Sequence, residues 1–201
     1  MPGPGMFYVD ISDLQETIDH MKSCLTPDRA REMMRRTFND TGRKVKTILG
    51  QEVPKKYEAP ANWVKSQVDY PRPGGGGEVS VVVPVKGTRG VIGKRFPIAR
   101  GRGRPPKRRK GVPVVIRAKI VKGQISTLPS KMKHQGGQPP FIAKGVVRTR
   151  KYPNRKKPIV TVVGLGVPQM PINRARADVE RELKEHLEKR LVHHFGVMMR
   201  M

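Results

Sequence analysis

From Val79 to Ala177 the chain contains no aspartate and no glutamate. The same interval carries 25 Lys and Arg, whereas the rest of the chain has 17 basic against 16 acidic side chains, so nearly all of the net charge of +26 falls in one block. Without a local carboxylate, general-base chemistry or Mg²⁺ binding in that block would have to borrow Asp or Glu from its flanks. There is one cysteine, Cys24. No disulfide can form within the chain and no cysteine cage for a metal can be built, which suits a reducing compartment. Aromatic residues make up 5% of the chain, and Phe96, Phe141 and Tyr152 are the only ones in the basic block. That is few for a surface that stacks unpaired bases. The start, Met1 to Gly5, lacks the basic and apolar regions of a secretory signal, and no apolar run approaches the roughly 20 residues that span a bilayer. A soluble protein without a membrane partner is expected.

What is present is one sign of charge confined to one region. Such a field is neutralised by phosphate-rich or acidic partners, and nucleic acid leads among them; a solvated, disordered arm is the plainer alternative. Periodic apolar runs weigh against disorder. At 201 residues the length fits one domain, and four regions follow from the sequence: a helical region over 1–70, a Pro/Gly-rich linker over 71–78, a basic β region over 79–172, and a terminal helix over 173–201.

Ile11, Leu14, Ile18, Met21 and Leu25 fall on one helix face, with Asp10 or Ser12 as its cap. Thr26-Pro27-Asp28 reads as a second N-cap, a first-turn proline and an acidic first turn. The helix it opens has the apolar face Ala30, Met33, Met34, Phe38, Val45, Ile48 and Leu49, and Pro54 is expected to stop it, giving a helical hairpin. Trp63, with Val64 and Val68, reads as a packing anchor. Strands are expected over 79–85, 114–121, 141–149 and 158–163. The fold class is therefore α+β: an N-terminal helical hairpin, a small, mostly antiparallel sheet of three to four strands with a long basic hairpin insertion over 87–111, and a long C-terminal amphipathic helix. In that last helix Val179, Leu183, Leu187, Leu191 and Phe195 recur every four residues. The stripe needs a partner, either the chain's own sheet or a neighbouring subunit.

The insertion holds 11 of the block's basic residues between Lys86 and Lys110. Its candidate DNA contacts are Lys94, Arg95, Arg100, Arg102, Arg104, Lys107, Arg108, Arg109 and Lys110. Arg102-Gly103-Arg104-Pro105 resembles the core of an AT-hook, in which Gly allows close backbone approach, Pro keeps the chain extended and two guanidinium groups enter a narrow minor groove. Followed by Pro106, it fits nonspecific phosphate contact better. No catalytic constellation stands out. Cys24 reads as a small core residue, the histidines form no His-x-x-x-His pair, and Gly164-Leu165-Gly166 lacks a third glycine and reads as a turn. No cofactor and no metal are expected.

The order of these elements resembles the minor tail protein Z family of lambda-like phages. The resemblance rests on the helical N-terminal half, the basic insertion between strands, the run Pro140-Phe141-Ile142-Ala143-Lys144-Gly145, the strand around Pro158 to Val163, and Val167-Pro168 leading into a charged terminal helix. It is best over 112–198 and looser over 29–68. It implies a structural tail-completion protein at the head-proximal end of a long tail, assembled in the host cytoplasm into the virion. Its implied partners are a tail terminator, a head-completion protein, copies of itself in a ring, with a hexamer favoured, and double-stranded DNA in the channel. In that setting Leu183, Leu187, Leu191 and Phe195 would serve as an oligomer interface. A stand-alone DNA- or RNA-binding protein, such as an AT-hook nucleoid factor or a ribosomal protein, is the second reading; an enzyme is a distant third.

Overall fold

The computed structural model describes residues 11–74, 80–99, 115–128, 140–150 and 158–200. A short 3₁₀ turn, Ser12–Leu14, runs into α1 (Gln15–Ser23), and α2 (Pro27–Lys56) follows after a tight connection. Pro27 opens α2 because its fixed φ suits a helix start and its missing N–H would have been unpaired there. Thr26 precedes it in extended conformation, but its side chain makes no capping bond. Pro54 does not end α2. It lies in the last turn, and the helix runs two residues further before Tyr57 turns extended and bridges to Val121. A proline there removes one backbone bond near a terminus, which costs less than in a helix interior.

α3 (Ala61–Ser66), α4 (Gln169–Ile172) and α5 (Arg176–Met199) complete the helices. α4 is an element the sequence pattern did not suggest, and it displaces the expected cap: α5 begins after Ala175, while Asn173 closes α4. α2 and α5 pack along much of their length. Near the end of α2, Ile48, Leu49 and Val53 join Val179 and Leu183 of α5 in the larger apolar cluster; near its start, Met33 and Met34 meet Leu191, Met198 and Ile18 in a second one. The two helices are therefore antiparallel. Lys56 to Asp178 at 2.9 Å and Lys184 to Asp13 at 3.0 Å add exposed ion pairs of small energetic weight.

The terminal stripe is thereby corrected as an interface. Leu183, Leu187 and Leu191 are buried within their own chain, and Phe195 is half-buried against the second cluster. The complementary stripe on α2 satisfies the apolar face without a neighbouring subunit. Cys24, expected in the core, is exposed at the end of α1.

The β region is finer-grained than a single sheet. Among the described residues ten short strands form four small sheets, all with antiparallel pairing: β1 (Arg72–Pro73) with β2 (Val81–Val82); β3 (Arg89–Val91) with β10 (Val163–Gly166); β4 (Ile98–Ala99) with β5 (Arg117–Ala118) and β6 (Ser126–Thr127); and β7 (Phe141–Ala143) with β8 (Val146–Arg150) and β9 (Ile159–Thr161). The strand expected over 141–149 is a hairpin, turned at Lys144 and Gly145, which both take positive φ. Three backbone bonds stitch the small sheets together: Ile92 N–H donates to Val162 C=O, Val162 N–H to Val147 C=O, and Val147 N–H to Ile92 C=O. All three side chains are buried.

Beside this junction lies Phe96. Its ring packs over Gly90 and Gly164, where an added Cβ would come within 2.6 and 2.9 Å of it, and meets the Trp63 ring edge-on at 5.9 Å. Larger residues at either glycine would displace the ring, so these two positions hold the space the aromatic fills.

Two predictions concern this frame. Phe96→Ala empties the centre of the β region and should cost about 3–5 kcal/mol, read as a lowered denaturant midpoint. The second concerns His186 on α5, whose Nδ1 is buried without a hydrogen-bond partner among the described residues. Burial first, then repulsion from Arg190, Lys44 and Lys189, with Asp40 opposing, holds its imidazole below the ordinary 6.5. Between the depressed folded value and 6.5 the unfolded chain binds more protons than the folded one, so stability should fall as pH drops below 6.5. His186→Gln should flatten that slope in pH-dependent thermal melts.

Candidate nucleic-acid interface

Lys94 and Arg95 do not sit on a free loop. Ile92 follows β3, Gly93 turns the chain at φ +98°, and the Lys94 and Arg95 amides both donate to the Val91 carbonyl, at 3.1 and 2.8 Å. Gly93 N–H to Phe96 C=O at 2.7 Å closes the turn. With Phe96 buried, the two cations are held outward at the rim of the β region, and the Arg95 guanidinium lies 5.8 Å from the Trp63 ring centroid. The expected insertion is corrected over its first part, where β3, the Gly93 turn, buried Phe96 and β4 build it into the folded β region; its remainder, 100–111, lies outside the described residues.

β5 adds further cations by simple alternation. Ile116 and Ala118 are buried while Arg117 and Lys119 point outward, as the period of two requires. Lys119 N–H donates to Pro97 C=O at 2.8 Å, which places Lys119 beside the Lys94–Arg95 turn. Lys122 follows the bridge at Val121, and its ammonium reaches the Pro54 carbonyl at 3.4 Å. Lys94, Arg95, Pro97 and Lys122, with Pro54, Tyr57 and Glu58, line an open cleft of about 440 Å³. Glu58 is its one carboxylate.

The ion pairing differs sharply between the two halves of the molecule. On the helices, carboxylates take up much of the positive charge: Glu32 receives Arg35 at 2.6 Å and Arg36 at 2.7 Å, and those bonds, Arg35's first, hold its carboxyl down to about 2. Arg181 lies within reach of Asp178, Glu182 and Glu185. In the β region, none of Arg89, Lys94, Arg95, Arg117, Lys119, Lys122, Lys144, Arg148 or Arg150 has a carboxylate within 4.0 Å among the described residues. Lys86, paired with Asp69 at 3.1 Å, is an exception there. Unpaired surface cations offer their donors to a phosphate without first breaking a salt bridge.

Of the sequence-selected contacts the structure brings Lys94 and Arg95 together. Arg100, Arg102, Arg104, Lys107, Arg108, Arg109 and Lys110 lie outside the described residues, as does Tyr152. The β4–β5 register, Ala99 opposite Arg117, shows that the chain leaves and re-enters the sheet side by side at this edge. Arg117, Lys119 and Lys122 were not selected from the sequence, although the alternation around them was visible there. Among the described residues no group of three or more His, Cys, Asp or Glu is placed to hold a metal ion, and no helix is long and apolar enough to cross a membrane. No protein-family model, curated protein or solved structure matches the chain.

Because Lys94 and Lys119 are exposed and unpaired, Lys94→Ala combined with Lys119→Ala should leave unfolding free energy within about 0.5 kcal/mol of the parent. Arg95→Ala should cost somewhat more, about 0.5–1 kcal/mol, through loss of its contact with Trp63. Chemical denaturation followed by Trp63 fluorescence separates the two outcomes.

Proposed function

We propose that this chain is a structural protein that holds nucleic acid through its phosphates, without catalysis, and that its setting is the one the family resemblance implies. In that setting it is the tail-completion, or minor tail, protein of a long-tailed phage, at the head-proximal end where DNA passes. The observation that carries the polyanion-binding part is the segregation of charge. Cations without carboxylate partners cluster on the β region around Lys94, Arg95, Lys119 and Lys122, while the helical pair is laced with ion pairs. A surface with a single carboxylate, Glu58, among these cations attracts phosphate without depending on base identity, which suits DNA that must move past it. The phage setting itself rests on the resemblance.

One observation favours a second reading, a stand-alone nucleic-acid-binding protein. The apolar stripe of α5 is spent inside the chain, so the stripe that was expected to join subunits is not free to do so. A ring would then need other surfaces on each copy. Reconstruction of assembled particles decides between the two: a closed ring, hexameric by expectation, at one end of the tail supports the first reading, and a monomer free of any particle supports the second.

Phosphate binding itself predicts a salt dependence. The logarithm of duplex affinity should fall linearly with the logarithm of salt concentration, by about 0.9 per phosphate neutralised. Alanine at Lys94, Arg95, Lys119 and Lys122 together should flatten that slope by about 0.9 for each cation that meets a phosphate. Affinity indifferent to salt would remove the basis of the proposal.

A further inference from the structure

Of the aromatic residues in the basic block, the two that are described, Phe96 and Phe141, are poor stacking platforms in the folded chain. Phe96 is buried, and Phe141 is half-buried with the Arg150 guanidinium 5.9 Å from its ring centroid. Among the described residues an exposed aromatic lies outside the block: Tyr70 is 84% exposed, more than any other large hydrophobic side chain described.

Its backbone, by contrast, is fixed on both sides. Val68 is buried and bridges to Val85, and Asp69 N–H donates to Pro84 C=O at 2.9 Å. On the other side Pro71 rests on α2 at Gly42, where an added Cβ would lie 2.9 Å from it, and Arg72 enters β1 opposite Val82. A large aromatic ring is thus held out into solvent by an anchored backbone and fills no part of the core. Surface tyrosines presented this way carry contact area at little entropic cost, which is the requirement for a stacking contact.

Its surroundings are cationic. The Lys46 ammonium lies 6.0 Å from the ring centroid. Arg43, beside Gly42 on the same helix, and Arg72, two residues along, are exposed and have no carboxylate within 4.0 Å among the described residues. Asp69, the neighbouring acid, is occupied by Lys86. One apolar side chain, Val82, stands exposed opposite Arg72. Protein interfaces centre on apolar groups and are poor in lysine, whereas an exposed ring with the Lys46 ammonium against it, and with Arg43 and Arg72 unpaired close by along α2 and β1, matches a base with its adjoining phosphates.

We infer that Tyr70, with Arg43, Lys46 and Arg72, forms a platform on which an unpaired nucleobase stacks, so that the protein holds single-stranded nucleic acid at this face. The inference rests on the reading that the chain contacts nucleic acid and adds the strand state and the residue that senses it. The cleft around Lys94 and Lys122 has no exposed aromatic and offers phosphate contact alone.

The test compares the full chain with Tyr70→Ala and Tyr70→Phe, using a single-stranded oligothymidine and a duplex of equal length at one salt concentration. Tyr70→Ala should weaken single-strand binding roughly 5- to 150-fold, as loss of one base–aromatic stack does, and leave duplex affinity unchanged. Tyr70→Phe should retain wild-type affinity, since it keeps the π-face. On the unaltered protein, the oligothymidine should protect Tyr70 from nitration by tetranitromethane, mapped by mass spectrometry, and the duplex should not. Equal single-strand affinity for wild type and Tyr70→Ala, or nitration unaffected by the oligothymidine, overturns the inference and leaves duplex binding intact; Tyr70 would then be a protein contact. If the wild-type protein binds neither strand form, the nucleic-acid reading fails and the platform with it.

Discussion

Three buried amides close a ring of hydrogen bonds, Ile92 to Val162 to Val147 and back to Ile92, and the β region hangs on it. Buried backbone groups that lack water must find partners inside the protein. Strands of two to five residues cannot supply enough of them by simple pairing. The ring joins the β3–β10 pair to the β7–β8–β9 sheet, and the bridge from Ile92 to Phe96 carries the connection on to β4 and β5. Phe96, seated over two glycines and against Trp63, fills the space these strands enclose. The chain can therefore present a dense positive surface on short strands, since cohesion comes from this small interior rather than from pairing of surface charges.

Charge repulsion is the cost of such a surface. Cations clustered without counter-ions destabilise the compact state, and the molecule limits that cost by separating functions. α2 and α5 hold most of the described carboxylates and pair the majority of them, as Glu32 does with Arg35 and Arg36 and Asp178 with Lys56. They pack through two apolar clusters, and the β region docks on the one at the Val53 end. The helices supply stability and the β region supplies field. A polyanion bound to that field would relieve the repulsion and add to stability by mass action.

The helices were legible in the sequence because their signals are local. Three- and four-residue spacing marked Ile18, Met33, Ile48 and Leu191 as inward-facing, and Thr26-Pro27 marked the start of α2. The choice of partner for the α5 stripe was not legible, since a pattern of leucines records that a face is buried and not by what; the answer, α2, depends on tertiary packing. The same holds for the sheet. Alternation around Ile116 and Ala118 was readable, but division into four small sheets follows from bonds between residues far apart in the chain, such as 92 and 162. For the site, composition located the basic block, and the fold decided which cations gather: Lys119 and Lys122 join Lys94 and Arg95 only through the β4–β5 pairing and the bridge at Val121. Tyr70 carried no signal in the sequence, because rigidity of the backbone beside an exposed ring is a property of the folded chain alone.

The central claim is that duplex nucleic acid meets the cationic β region around Lys94, Lys119 and Lys122, and not the helical pair α2 and α5. Lysine footprinting addresses it most directly: the protein is acetylated with and without duplex DNA, and each lysine's modification is quantified by mass spectrometry. The account predicts protection of Lys94, Lys119 and Lys122, with Lys22 on α1 and Lys184 on α5 modified equally in both conditions. Protection concentrated on the helices, or spread evenly over all lysines, would contradict it.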